Sequence, residues 1–198
     1  YALAGLALTF PLMNLGTAFS SMIAVGASAN IGIFLGKKDY PMAQKVLGNV
    51  VTLNFIIGIL YMVGVLAFLD PILYFFGASE NTIAPAREYM QIILGGNIIS
   101  HTYFALNAVL RATGLPRKAM NASIYTVVIN AVLDPLFIWL WGIRGAAMAT
   151  IIAQCISLAW VIYVLCDRNH VVHFQKGGYK LQKWIVKRIL SVGMSPFF

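Results

Sequence analysis

The chain alternates between long apolar runs and short polar breaks, and the runs are longer than any soluble core helix needs. They cover roughly 6–35, 46–69, 89–110, 120–141 and 146–166. About 20 apolar residues span the hydrocarbon of a bilayer as a helix, so each run predicts one transmembrane helix. Within the runs the polar residues fall at helical spacing instead of being scattered. In the fourth, Ser123, Thr126, Asn130 and Asp134 recur at steps of three, four and four. At about 100° per residue they occupy one arc of roughly 80°, and the rest of the circumference is Ile, Val, Leu, Phe and Trp. Pro135 follows the acid and leaves the Ala131 carbonyl without its helical donor. An acid inside a span costs several kcal/mol or more, so it faces a cavity or a partner. Carboxylate, Asn amide and freed carbonyl make an oxygen-rich spot suited to a small hard cation or a proton. This line is expected to be the coupling-ion site of a secondary transporter.

The other runs carry weaker polar faces. The first offers Asn14, Thr17, Ser21 and Ser28, with Gly16, Gly26 and Gly32 for close helix contact. The second has only Thr52 and Asn54, and reads as lipid-facing scaffold. The third carries Asn97, Ser100, Asn107 and Arg111, with Asn107 the one favoured for function. His101 beside that face reads as a packed, hydrogen-bonded histidine rather than a relay. The fifth places Thr150, Gln154 and Ser157 together. The six residues Thr126, Asn130, Asp134, Asn107, Thr150 and Gln154 are expected to converge on one internal cavity, because lipid satisfies none of them. From Asp167 to Ser191 aromatic and aliphatic residues interleave with Lys180, Lys183, Lys187 and Arg188, which predicts an amphipathic helix on the membrane surface.

Composition fits this assignment. Of 198 residues 60% are hydrophobic and 10% charged, against about 25% charged in soluble domains. The net charge of +8 raises a nucleic-acid reading, but the basic residues sit in short loops with no aromatic-interleaved surface. Of the 14 Lys and Arg, all but Arg87 and Arg144 follow the first, third and fifth spans. The positive-inside rule then puts those loops in the cytoplasm and the start of the chain outside. Cys155 and Cys166 lie eleven residues apart on one helix, about 16 Å, too far for a disulfide. His170 and His173 read as interfacial residues, not a metal pair, since only Asp167 is near. The chain begins Tyr-Ala-Leu and ends at Phe198 inside another apolar stretch, so it is expected to be a piece of a longer protein.

Several motifs, in order, resemble the multidrug and toxic compound extrusion (MATE) family. They are Gly26-Ala27-Ser28 leading to Leu35-Gly36-Lys37-Lys38-Asp39-Tyr40, then Arg111-Ala112-Thr113-Gly114-Leu115-Pro116-Arg117, then Asn130 to Phe137 around Asp134-Pro135, and Gly142 to Thr150. The five spans resemble that family's second to sixth helices. The resemblance implies an all-α, polytopic membrane protein, with five complete transmembrane helices of a two-lobe, twelve-helix transporter. Residues 1–168 would be N-lobe helices, 169–190 a cytoplasmic amphipathic inter-lobe linker, and 191–198 the start of the second lobe. It implies multidrug efflux of small cationic amphiphiles by antiport with Na+ or H+, alternating access between the lobes, no other cofactor and no enzymatic activity. The cation or proton site would be Asp134, Asn130, Asn107 and Thr150, with Na+ the one metal ion it could take, at Asp134. The substrate cavity would hold Thr126, Gln154, Asn97 and Ser123. An acid on the family's first helix, and the second lobe, would come from outside the 198 residues. The expected setting is the inner membrane of a bacterium, with the lipid bilayer as partner and no nucleic acid.

Three other readings rank below this one. A lipid-linked oligosaccharide flippase needs several cationic residues in its cavity. A membrane prenyltransferase needs clustered carboxylates for magnesium, and the six acids here are scattered. A non-transport membrane scaffold gives no reason for an acid within a span.

Overall fold

A computed structural model describes residues 2–175 and 178–195. Every element among them is a helix: α1 (Ala2–Ala7), α2 (Phe10–Gly36), α3 (Tyr40–Ala67), α4 (Leu69–Phe75), α5 (Glu80–Ala112), α6 (Pro116–Trp141), α7 (Ile143–Cys166) and α8 (Lys183–Gly193). Five are long and apolar enough to cross a membrane, the first counting α1 and α2 as one path from Ala4 to Gly36. The chain is an all-α, multi-pass membrane protein, as its run lengths require.

The differences from the sequence expectation lie at the breaks. The first span is interrupted at Leu8–Thr9, because Pro11 removes the amide that would bond Ala7. The Thr9 hydroxyl then donates to the Leu6 carbonyl at 2.7 Å and closes the gap. The stretch before Tyr89, read as loop from Gly77 and Pro85, is instead two helical pieces. Leu69–Phe75 forms α4, which stops at Gly77 with φ +96°, a left-handed turn suited to glycine. Ser79 and Thr82 then form a capping box that starts α5 nine residues early, and Pro85 costs only one hydrogen bond near its start.

α5 is the hub, packing against α1, α2, α3, α4, α6 and α7. One core lies toward the α5–α6 turn and includes Ile23, Ile31, Leu47, Val50, Leu106, Leu110, Leu165 and Ile189. The other lies toward the opposite end around Leu12, Leu73, Ile83, Met90, Leu94 and Ala147. α6 and α7 form a hairpin joined by Gly142, at φ +61°. Gly145 lets the hairpin close, since a Cβ there would overlap the Phe137 carbonyl.

The segment after α7 corrects two expectations. Asp167 to Gln182 is not helical where described, and it is strapped along α3. Gln44 Nε2 donates to the Val171 carbonyl at 3.1 Å, Asn49 Nδ2 to that of Lys180 at 3.2 Å, and Thr52 to that of Tyr179 at 2.9 Å. The Gln182 amide donates back to Asn49 Oδ1 at 2.8 Å. The second span therefore uses its Thr52 to hold a strap rather than to face lipid. Nor does α8 lie flat on a surface. Trp184 meets Phe34 edge-on at 6.4 Å, the Ile189 carbonyl abuts Gly26, and Gly193 abuts the Met22 carbonyl. α8 thus runs antiparallel down α2 with Ile185 and Ile189 buried between them. Its Arg188 guanidinium stacks over Phe34 at 5.2 Å. Lys176 and Gly177 of the linker, and Pro196 to Phe198 of the expected second-lobe start, lie outside the described residues.

Candidate functional site

The polar line on α6 turns inward toward α7 and α5, because the helix packs through that face and leaves the opposite one open. Val127, Val128, Val132 and Trp139 are exposed, whereas Thr126, Asn130 and Asp134 are half-buried. Near the turn, the Ser123 hydroxyl donates to its own helix at Ala119, 3.3 Å away. One turn on, Thr126 Oγ1 lies 2.7 Å from Ser157 Oγ of α7 and 3.0 Å from the Tyr103 hydroxyl of α5. Three helices meet on that hydroxyl.

The acid comes next. Asn130 Nδ2 donates to Asp134 Oδ1 at 3.2 Å and to Thr150 Oγ1 of α7 at 3.4 Å. The Thr150 hydroxyl donates in turn to the Ala146 carbonyl at 3.0 Å. Asp134 is therefore oriented by an amide on its own helix, which a hydroxyl on the next helix holds. In this arrangement the amide nitrogen faces the carboxylate and donates to it. Turning the amide by 180° would present Asn130 Oδ1 beside Asp134 and Thr150 Oγ1, an all-oxygen set of the kind a hard monovalent cation takes. Among the described residues there is no cluster of three or more His, Cys, Asp or Glu side chains, so a transition-metal centre has no ligand set. Tyr89 of α5 is buried and within Coulombic reach of Asp134.

Thr150 has a second face. With Gln154, one turn along α7, it lines a cavity of about 130 Å³ between α2, α3, α5 and α7. The polar lining is completed by Thr17, Tyr61, Asn97, Ser100 and His101, and Met13, Met90 and Leu94 supply apolar wall. Ser100 donates to Gln154 Oε1, and Asn97 Nδ2 lies 3.4 Å from the Gly58 carbonyl. The Tyr61 hydroxyl donates to the Leu12 carbonyl.

Of the six residues expected to converge, the structure joins Asn130, Asp134 and Thr150 directly and places Thr150 and Gln154 on one cavity, which Asn97 also lines. Thr126 and Ser123 lie further along α6, against Tyr103 and Ser157 and against Ala119. Asn107 is a correction. Its Nδ2 donates to the Ala119 carbonyl at 3.0 Å and its Oδ1 accepts from Arg111 Nη1 at 2.5 Å. Ala119 precedes Asp134 by 15 residues, about 22 Å along the helix, so Asn107 pins the α5–α6 turn instead of joining the acid.

One residue was missed and one misread. Tyr61 sits in a run read as scaffold, and its ring fills the space that Gly16 leaves on α2. That pairing crosses helices and has no signature in either run. His101 was read as hydrogen-bonded, yet its Nδ1 is buried without a partner and its ring is part of the cavity wall.

Arg87 and Arg144, the two basic residues outside the charge pattern, are each neutralised. Arg87 makes a bidentate pair with Asp70, both bonds 2.7 Å, and Arg144 another with Glu88 at 2.8 and 2.5 Å. His170 lies 3.3 Å from Lys118 Nζ and 3.7 Å from Asp167, in a loop cluster rather than a metal pair.

Comparison with known proteins agrees with this architecture. The MatE family model matches residues 1–136. Multidrug export protein MepA of Staphylococcus haemolyticus is 27% identical over 201 residues, covering 100% of this chain and 44% of that protein. The probable multidrug resistance protein YoeA of Bacillus subtilis is 30% identical over 203 residues, covering 98% and 44%. A crystal structure of MATE in the bent conformation superposes with a TM-score of 0.92 at 29% identity, over 98% of this chain and 44% of that one. So does an inward-facing multidrug resistance MATE family transporter of the MOP superfamily, with the same score and coverage. The chain thus spans about 44% of the length of these relatives.

Proposed function

The chain belongs to the MatE family, and from that premise we propose that it forms the N-terminal lobe of a two-lobe transporter expelling several drugs. Residues 1–168 are the lobe, 169–190 the link between lobes, and 191–198 the start of the second. Export is coupled to Na+ or H+ entering at Asp134, and the lobes alternate access to the two sides. The loops at Lys37–Lys45, Arg111–Lys118 and Asp167–Arg188 face the cytoplasm, by the charge asymmetry.

The observation that carries the reading is the chain Asp134–Asn130–Thr150, which ends on the polar cavity. An ionisable group inside a span is costly, and one tied by hydrogen bonds to a cavity wall is placed where an ion can reach it. A proton on Asp134 would remove the anion that Asn130 now donates to, and a sodium ion bound there would neutralise it. The Asn130–Thr150 contact between α6 and α7 then changes with ion occupancy. A ligand shifts a conformational equilibrium only through such a difference between states. Gln154 and Asn97 offer neutral polar groups to an amphiphilic substrate from the cavity wall, while Thr126 and Ser123 are engaged nearer the α5–α6 turn. The cavity lining holds no Lys or Arg, so a flippase binding pyrophosphate has no partner there.

The test is Asp134→Asn in the two-lobe protein, with ethidium efflux measured from energised cells and protein level checked by blot. The substitution keeps the shape and removes the charge. The expected result is loss of efflux at normal membrane abundance, with Asn130→Ala a milder version of the same defect. Wild-type efflux by Asp134→Asn overturns the coupling role, and loss of the protein from the membrane makes Asp134 structural.

A further inference from the structure

Arg87 and Arg144 each meet a carboxylate, whereas Arg111 has no acid partner among the described residues. Its guanidinium is nonetheless held in place. Nη1 donates to Asn107 Oδ1 at 2.5 Å, and the buried Asn107 is itself fixed by Nδ2 on the Ala119 carbonyl at 3.0 Å. That bond uses a single N–H of a planar fork that carries several. Arg111 stands in the last turn of α5, beside an open groove of about 600 Å³ between α2 and α5. Ala24, Val25 and Ala29 of α2, with Phe104 and Ala108 of α5, give the groove apolar walls. Ser28 shares the wall, but its hydroxyl is spent on the Val25 carbonyl at 3.1 Å. An oriented cation without a counter-ion therefore closes one end of an apolar channel.

We propose that this groove holds an acyl chain of an anionic phospholipid, with the lipid phosphate bound to Arg111. The dimensions fit one leaflet. From Ser21 to Gly32 the groove follows α2 for eleven residues, about 16 Å at helical rise. Half of a hydrocarbon core about 30 Å thick is nearly the same length. On α5, Phe104, Ala108 and Arg111 recur at steps of four and three, so they share one face, and the cation lies at the end of that face. Arg111 also opens the basic turn 111–118, where the chain leaves the hydrocarbon. A guanidinium at that level meets phosphates, which it bonds as a fork, and basic residues there draw anionic lipid. The inference rests on the proposed topology only in naming the leaflet as the cytoplasmic one.

Among the described residues nothing fills the groove. A Cβ at Gly32 would meet nothing beyond its own helix backbone within 4 Å. α8, which leads toward the second lobe, packs on Met22 and Gly26 instead. At about 100° per residue those positions lie roughly 110° round α2 from Ser21, Val25 and Ser28. The choice of occupant follows from the charge. A polypeptide lying in the groove would have to bring an acid to Arg111 or leave a guanidinium unpaired in a dry contact, which is costly. A phospholipid brings the anion and the apolar chain in one molecule, in the order the groove presents them.

The test uses the purified two-lobe protein in nanodiscs of equal parts phosphatidylglycerol and phosphatidylcholine, each lipid in turn carrying a photoactivatable acyl chain. Phosphatidylglycerol should label peptides covering 21–32 and 104–112, and phosphatidylcholine should label them several-fold less. Arg111→Gln should lower the phosphatidylglycerol labelling roughly fivefold, the worth of one basic residue at an anionic surface, and Arg111→Lys should keep it within about twofold. Arg117→Gln removes the same charge from the same turn, outside the groove, and should change labelling by less than about twofold. Gly32→Leu enters open space, so the protein should stay monodisperse while labelling by both lipids falls; this variant carries the test if Arg111→Gln folds poorly. Equal labelling by the two lipids overturns the proposal, as does an Arg117→Gln effect as large as that of Arg111→Gln. So does an absence of label from both peptides, the result expected if the second lobe covers the groove. Labelling needs no transport, which separates this site from the antiport reading. Normal efflux by Asp134→Asn with the groove still labelled removes that reading alone, and an unlabelled groove beside an inactive Asp134→Asn removes only the lipid site.

Discussion

α5 and α6 are neighbours of similar length, yet they are held in opposite ways. α5 buries residues along its whole length, from Thr82 to Leu110, and helices surround it. α6 buries only Ala119 and Ala122 among the described residues, and packs mainly against α7. The polar groups on α5 mostly close structural contacts: Asn107 on the α6 carbonyl, Asn97 toward the Gly58 carbonyl, Ser100 on Gln154. Those on α6 make one line with an acid at its end, anchored by Thr126 and Asn130. Within this chain the acid thus sits on a helix packed mainly against α7. The buried hub supplies the fixed wall.

The comparison can be broken outright at the hairpin. Gly145→Val puts a branched side chain where the Phe137 backbone already lies, and forces the α6–α7 hairpin apart. Monodisperse protein recovered by size exclusion should fall on the order of tenfold or more, the outcome expected of overpacking against backbone. Recovery at the wild-type level would show that α6 has other support.

A sharper version separates holding from responding. Thr150→Val keeps the shape of the side chain and deletes the hydroxyl shared by Asn130 and the cavity. Losing one such bond should lower ethidium efflux by the two-lobe protein about tenfold, with the thermal midpoint within about 2 °C of wild type. A large fall in the midpoint with normal efflux per folded molecule would place Thr150 among the structural groups.

Asn107→Ala should give the mirror image. It leaves the Ala119 carbonyl and the Arg111 guanidinium without their partner, so the thermal midpoint should drop by a few degrees. Efflux per folded molecule should stay within about twofold, because the side chain is far from Asp134. Efflux lost at an unchanged midpoint would return Asn107 to the ion site.

The smallest effect belongs to the exposed end. Glu88→Gln breaks a bidentate pair with Arg144 that stands in water, where screening and side-chain entropy offset most of the attraction. Its thermal midpoint should match wild type within about 1 °C, and 0.5 M salt should abolish any residue of the difference. A larger change would mean that this pair helps fix α7 to α5.

The amino-acid sequence by itself determined the class and the spans. A bilayer leaves helical runs of about 20 apolar residues no alternative, and their lengths and breaks are local properties. It also determined the inward line of α6 and the link of Asp134 to Asn130, since a step of four on one helix is a contact whatever surrounds it. Tertiary structure alone decided which polar faces meet. Asn107 and Asp134 share no helix, so only the relative placement of α5 and α6 could show that they stand apart. The strap on α3 and the descent of α8 along α2 join residues more than a hundred positions apart, through glycine contacts that mean nothing until two helices touch. The bare nitrogen of His101 was least legible of all. A histidine's identity is in the sequence, but whether a buried one has a partner depends on every helix packed around it.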